Sequence, residues 1–195
     1  MKRIHFIYSL LGGGWTVIQQ RVDAYVSFER KWVDYKHGFG SFAGSFWFGN
    51  DRIHNLTKSS TDNVILFDIV DATGTKYQPA FTDFRVEDEN TGYTFRVGAD
   101  FDLGLGDFSA IQNNFRYHNN NKFSTMDVDN DNHGGICSTD FFGNAGWWFN
   151  ACRSVNLNGR FGAIQSLSGL TWSSITNDAG SRSNLRSSRM LVRRM

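Results

Sequence analysis

Apolar residues fall along this chain in short separate runs, and their spacing loosens about halfway. Trp15-Thr-Val-Ile-Gln-Gln-Arg-Val22 is rich in β-formers, follows three glycines (Gly12, Gly13, Gly14) and predicts a strand. Between Ser27 and Tyr35, Phe28 and Trp32 stand four apart, the spacing of one helix face, so a short helix is expected there, ended by Gly38-Phe-Gly40. Asn50 is placed to cap a second short helix presenting Ile53 and Leu56. Val64-Ile-Leu-Phe-Asp-Ile-Val70, bounded by polar and glycine residues, has the pattern of a buried strand. Tyr93, Phe95 and Val97 alternate with polar residues, as in a half-buried strand. From Phe101 to Gly169 the chain becomes Gly, Asn, Asp and Ser with isolated aromatics. An irregular stretch of that length needs a metal, a disulfide or a ligand role to justify it. Met190-Leu-Val192-Arg can return as a closing strand. The expected architecture is α+β: a twisted, mainly antiparallel sheet with short helices, followed by a loop-built lobe.

A chain of 195 residues fits one domain and can bury a core without help from metal or disulfide. Its 20 Lys and Arg against 19 Asp and Glu leave a net charge of +1, so no overall field recruits nucleic acid or a membrane surface. No apolar run is long enough to span a bilayer. The 18 Phe, 6 Trp and 6 Tyr, with 20 Gly and the single Pro79, read as a folded, turn-rich domain with an aromatic core. Cys137 and Cys152 are open to three readings: a disulfide, a metal pair or two inert core thiols. Short knuckle spacing and paired histidines are missing, which disfavours zinc. A bridge would close a loop of about sixteen residues, worth roughly 3 kcal/mol in the chain-entropy model, and is the favoured reading. Lys2-Arg3 followed by Ile4 to Leu11 resembles the start of a signal peptide, but the run is short, holds His5 and meets glycines with no cleavage site. A first strand or a truncated gene model is the preferred reading, and residues 1–11 stay an uncertain N-terminal segment.

The densest chemistry lies in Asp127-Val-Asp129-Asn-Asp131, where alternating acids supply hard oxygen ligands for a cation. An EF-hand starting at Asp127 fails because its twelfth position is Ser138. One starting at Asp129 brings Asp131, Gly134 and Asp140 into register but has His133 at position five and no glutamate at twelve. The segment is a calcium loop of another type or a polar turn. No nucleophile elbow, zincin helix or phosphate loop occurs, and Gly38-Phe-Gly40-Ser-Phe-Ala-Gly44 misses the dinucleotide fingerprint by one residue. His5, His37, His54, His118 and His133 lack metal spacing and read as surface or structural residues. The sequon Asn55-Leu-Thr57 sits in an expected helix, and the tail arginines Arg182, Arg186, Arg189, Arg193 and Arg194 read as a solvated face.

Three ordered blocks then carry a family resemblance: Gly12-Gly-Gly-Trp-Thr-Val-Ile-Gln19; Phe28, Trp32, Tyr35-Lys36 and Gly38-Phe-Gly40; Phe46-Trp47, Gly49-Asn50, Ile53-His54 and Leu56-Thr57. Phe123-Ser-Thr125, the acid loop, Cys137, Trp147-Trp148, Cys152 and Asn156-Leu-Asn-Gly159 follow in order. The chain from Gly12 to about Arg193 resembles the fibrinogen C-terminal globular domain shared by fibrinogen chains, ficolins, tachylectins, angiopoietins and tenascins. The resemblance implies one such domain over residues 12–195, with the N-terminal subdomain largely missing. It implies a Cys137–Cys152 disulfide in a loop-rich ligand lobe. It also implies Ca2+ held by the carboxylates of Asp129 and Asp131 and the carbonyls of His133 and Gly135, with Asp127 supporting them from behind. In lectin members a pocket beside the calcium takes acetyl groups, shaped by aromatics and by a cis peptide that corresponds to Ala151–Cys152. Phe141 or Phe142 stands near a usual Tyr, Arg153 where acetyl binders often have His, and Ser173 where they often have Tyr. Arg153 could pair with a carboxylate or sulfate.

The function implied is a secreted, extracellular, calcium-dependent recognition module. The leading expectation is a lectin for acetylated or acidic glycans in innate immune recognition. The alternative is a protein-binding signalling or matrix module of the angiopoietin or tenascin kind, whose partner is a cell-surface or matrix protein. Neither is an enzyme, and oligomers would form through segments outside this sequence.

Overall fold

The computed structural model describes residues 14–60, 62–163, 168–176 and 185–195. The expected N-terminal segment, Gly12, Gly13 and Arg182 lie outside the described residues. In chain order the strands are β1 (Thr16–Arg21), β2 (Phe39–Gly40), β3 (Phe46–Trp47), β4 (Asn63–Val70), β5 (Lys76–Tyr77), β6 (Ala80–Phe81), β7 (Arg85–Val86), β8 (Phe95–Arg96), β9 (Val155–Asn156), β10 (Thr171–Trp172) and β11 (Ser187–Arg194). The helices are α1 (Trp32–His37), α2 (Asn50–Thr57), α3 (Ser109–Arg116), α4 (Cys137–Asp140) and α5 (Ser173–Thr176).

The main sheet runs β2-β3-β1-β11-β4-β5, with β6 also on β4, and every pairing is antiparallel. The C-terminal strand is therefore central: β11 pairs residue for residue with β4 from Ser187↔Val70 to Arg194↔Asn63, and with β1 on its other side. Both faces of this sheet are covered, which explains why Val64–Val70 reads as a continuous apolar run. Successive strand side chains point to opposite faces. Ile65, Phe67, Ile69, Met190 and Val192 enter the larger core, whereas Val64, Leu66 and Leu191 meet Trp15, Val17, Phe46 and Ala80 on the other side. Phe101 and Leu103, from the loop after β8, pack over that second face.

The larger core is aromatic. Phe67, Phe81, Phe95, Phe115, Trp147, Trp148 and Trp172 are fully buried. A buried indole usually pairs its N–H; Trp147 Nε1 is left without a partner among the described residues, but three others are paired. Trp47 Nε1 donates to Asn50 Oδ1 at 3.0 Å, Trp148 Nε1 to the Tyr93 carbonyl at 2.8 Å and Trp172 Nε1 to the Ile111 carbonyl at 2.9 Å.

Four local expectations change. The first helix starts at Trp32 and not near Ser27; Phe28 is extended beside the Glu29↔Ala145 bridge, so tertiary pairing overrides the four-residue spacing. Asn50 opens α2 but does not cap it, because its side chain serves Trp47; Ile53 is buried, while Leu56 is largely exposed. The half-buried strand over Tyr93–Val97 shrinks to Phe95–Arg96, with Tyr93 in a left-handed conformation at φ 52 and all three apolar residues buried. The C-terminal arginines are not a uniformly solvated face: Arg189 donates to Gln20 Oε1 at 2.8 Å, and the Arg193 guanidinium lies 4.9 Å from the Trp15 ring centre.

Candidate functional site

The lobe after Tyr117 is fastened to the sheet by polar side chains. Tyr35, fully buried on α1, donates to the Phe28 carbonyl at 2.7 Å and accepts from Gly146 N at 3.0 Å. Asn158 Nδ2 donates to Gly146 O at 2.9 Å, and Gln19 Nε2 reaches the Leu157 carbonyl at 2.8 Å. Gly159 follows because a Cβ there would lie 2.1 Å from the Gly169 carbonyl oxygen. The Asn156–Gly159 motif is thus a close backbone crossing held by amides. His118 fixes the next stretch: Nδ1 bonds the Trp148 carbonyl at 2.7 Å, and Nε2 accepts from Ser154 N and Val155 N at 3.1 and 2.8 Å.

The acid loop alternates asparagine anchors with carboxylates that accept from backbone N–H groups. Asn130 Nδ2 donates to Phe123 O, and Asn132 Nδ2 to Asn121 Oδ1 and Asn150 Oδ1, so the even positions hold the loop down. Asp127 accepts from Trp32 N at 2.9 Å and Thr125 Oγ1 at 2.8 Å, which ties the loop to the first turn of α1. Asp129 Oδ1 accepts from Asp131 N at 3.1 Å; Asp131 accepts from His133 N and Cys137 N, both at 2.9 Å, one on each oxygen. Among the described residues neither Asp129 nor Asp131 forms an ion pair with Lys or Arg. Burial first, and then the charge of Asp129, hold the Asp131 carboxyl above its usual range despite those two N–H donors. Adjacent carboxylates with no basic partner suit a hard cation, because a divalent ion would relieve their repulsion and use their spare lone pairs.

Cys137 and Cys152 are joined in a disulfide, with Cα atoms 5.5 Å apart. His133 Nδ1 or Nε2 lies within 4.8 Å of both sulfurs, but bridged sulfurs cannot serve as thiolate ligands, so the cluster is no zinc site. The Ala151–Cys152 peptide is cis.

The ligand residues expected from sequence fall into two groups. Phe141 is 40% exposed and sits edge-on to the His133 ring, with centres 5.4 Å apart. Phe142 turns inward and stacks on Phe149 at 5.4 Å. The Arg153 guanidinium covers Phe142 at 4.7 Å from the ring centre. Ser173 Oγ donates to the Ser154 carbonyl at 2.7 Å. The structure therefore brings Asp129, Asp131, His133, Phe141 and the disulfide to one loop cluster, while Phe142 belongs to the packing beneath it. Sequence reasoning missed the fastening roles of Tyr35, His118 and Asn158; the partners of His118 lie 30 or more residues away, and Gly146 lies 111 from Tyr35. Asn55, in the sequon, lies within α2 and donates from Nδ2 to the Asp51 carbonyl at 2.9 Å.

Comparison with known proteins agrees with this fold. A family model described as "Fibrinogen beta and gamma chains, C-terminal globular domain" matches residues 7–195. Human fibroleukin is 36% identical over 193 residues, covering 94% of this chain and 43% of its own length. The chain thus spans less than half of that curated relative. The fibrinogen-like globe domain of human ANGPTL6 superposes with a TM-score of 0.84 at 34% identity, over 96% of this chain and 81% of that one. A lamprey fibrin D-dimer complexed with the peptide ligand Gly-His-Arg-Pro-amide gives 0.76 at 28% identity, over 93% of this chain and 61% of that one.

Proposed function

This chain belongs to the fibrinogen C-terminal globular domain family, a family of non-enzymatic binding modules, and on that premise we propose that it is an extracellular recognition module for a protein or peptide ligand. The observation that carries the reading is the surface of the loop cluster. It offers an exposed aromatic, Phe141, edge-on to His133, whose backbone N–H donates to Asp131, and the aromatic wall expected of an acetyl pocket is turned inward at Phe142. An exposed aromatic next to carboxylates suits an apolar anchor followed by a basic side chain. The lamprey fibrin relative is complexed with a peptide of that charge. The disulfide is of the kind that persists outside the cell.

The test uses Gly-His-Arg-Pro-amide as the probe, titrated by calorimetry with millimolar calcium present. Saturable binding that free N-acetylglucosamine does not displace is expected. Phe141→Ala should weaken it about 5-fold or more, the loss of roughly 1 kcal/mol that marks a contributing interface residue. That side chain is 40% exposed, so the variant should melt within about 0.5 kcal/mol of the parent. Retention on immobilised N-acetylglucosamine, released by the free sugar, would instead return the domain to the glycan reading.

Calcium enters as part of the same proposal. Asp129 and Asp131, with the carbonyls of His133 and Gly135, would hold the ion, and the ion would supply charge neutralisation that stiffens the loop under Phe141. Extracellular sites of this kind bind at about 0.1–1 mM, so 1 mM calcium should add roughly 0.4–1.4 kcal/mol. That is a rise of about 1–5 °C in Tm for a domain of this size. Asp129→Ala should abolish the rise, and an equal rise in parent and variant would remove the assignment.

A further inference from the structure

Arg21 ends β1 and is 2% exposed, yet among the described residues no carboxylate is bonded to it. Among the described residues its side chain donates from Nη1 to the carbonyls of Asn158 at 3.0 Å and Gly159 at 2.6 Å, and its guanidinium lies 3.8 Å from the Phe28 ring centre. Nε is buried without a partner among the described residues, and among them no hydrogen bond from Nη2 is found. Asp23 is near enough to favour the charge, but it forms no ion pair with it. A buried charge without a counter-ion is costly, and an anion reaching it recovers part of that cost.

Arg21 also lines an open cleft of about 240 Å³, with Val26, Phe28, Glu29, Arg160 and Phe161 around it. Arg160 is the second guanidinium: Nε donates to Glu29 Oε1 at 2.6 Å, and among the described residues its two terminal nitrogens make no further bond. Glu29 is, among the described residues, the one carboxylate lining the cleft, and Arg160 already engages it. The cleft shares no residue with the acid loop or with Phe141.

We propose that this cleft is a carboxylate-binding site, in which Arg21 and Arg160 receive the carboxylate of an acidic side chain or peptide C-terminus while Val26 and Phe161 flank its apolar stem. Planar carboxylates match guanidinium forks, and the volume suits a single residue, since drug-sized ligands occupy about 300–1,000 Å³. Burial is also the main reason the Arg21 pKa falls to about 10, the shift expected of a cation short of anionic support.

The probe is N-acetyl-L-phenylalanine, with N-acetyl-L-phenylalaninamide as its uncharged counterpart, followed by NMR of backbone amides and arginine Nε–H groups at constant ionic strength. The carboxylate should shift Arg21 Nε–H and the Gly159 amide saturably within about 50 mM, the weak end of specific binding, and the amide should not. Arg160→Gln should raise the dissociation constant about 3-fold or more, the share of one partly exposed charge pair, without lowering Tm. Arg21→Lys should weaken binding further, and if it fails to fold, the Arg160 variant decides. Phe141→Ala should leave this binding unchanged, which separates failure here from failure of the peptide reading. No saturation, equal shifts from acid and amide, or an Arg160→Gln protein that binds like the parent would each overturn the proposal.

Discussion

Phe115→Ala is expected to cost about 3–5 kcal/mol, roughly a fifth or more of the 5–15 kcal/mol that holds a typical domain. The Phe115 side chain projects from α3 and is fully buried. Its ring centre lies 4.2 Å from that of Phe67 on β4, 4.9 Å from Phe95 on β8, 5.4 Å from Phe81 on β6 and 5.6 Å from Trp172 on β10, the last nearly parallel. Few neighbours of α3 could collapse into the space, because each of those rings is fixed on a strand. The loss therefore includes the cavity as well as the transfer of the ring. At about 2–4 °C per kcal/mol, Tm should fall by roughly 6–20 °C, followed by near-ultraviolet circular dichroism, which reports this aromatic cluster directly. Phe115→Leu should recover most of the loss. A drop below about 1 kcal/mol for the alanine variant would show that the ring does not join the two halves of the core.

The importance of Phe115 was the least legible feature of the sequence. Ser109–Arg116 contains two asparagines and only Ile111, Gln112 and Phe115 as buried positions, so its helical period is too weak to stand out within a polar stretch. The helix is held by what it packs on, as is usual for helices this short. The opposite case is Val64–Val70, where burial on both faces writes an unbroken apolar run that needs no context to read. Phe28 and Trp32 misled because a spacing of four is also produced by one residue next to a bridge and another opening a helix.

At the site, the acids and cysteines were legible because their chemistry is carried by residue type and short spacing. The choice between Phe141 and Phe142 was not. Adjacent residues in an irregular turn are separated only by the backbone after α4, which sends one ring to solvent and the other under Arg153. Arg21 was hidden for a related reason. It stands among β-formers as one more strand residue, and its lack of a counter-ion appears only when Asn158 and Gly159, more than 130 positions away, are placed beside it.

Acid should loosen the lobe through His118. The imidazole is fully buried, and Nε2 accepts from two backbone N–H groups, so the proton resides on Nδ1 and is donated to the Trp148 carbonyl. A second proton would set an N–H against two other N–H donors. Burial, the largest cause, and the nearby charge of Arg153 lower the His118 pKa to about 4, against the raising effect of the Trp148 carbonyl. An unfolded histidine titrates near 6.5, so the depressed folded value makes the unfolded chain bind the extra proton first. The stabilisation is complete above about pH 6.5 and is lost as pH falls toward 4, amounting to roughly 2 kcal/mol by pH 5 and about 3 kcal/mol by pH 4. Asp131, whose folded pKa is raised, has the opposite sign and partly offsets the loss as its own carboxyl protonates. Urea unfolding at pH 7.5, 6.5, 5.5 and 5.0 should show the decline in the parent. In His118→Gln, whose amide can still donate to one partner and accept from another, stability should be lower at neutral pH and much flatter below it. Because His118 holds the backbone at Ser154 and Val155, just after Cys152, ligand binding by the lobe should weaken over the same pH range. Parallel pH profiles in parent and variant would show that this buried ring does not set the acid limit of the fold.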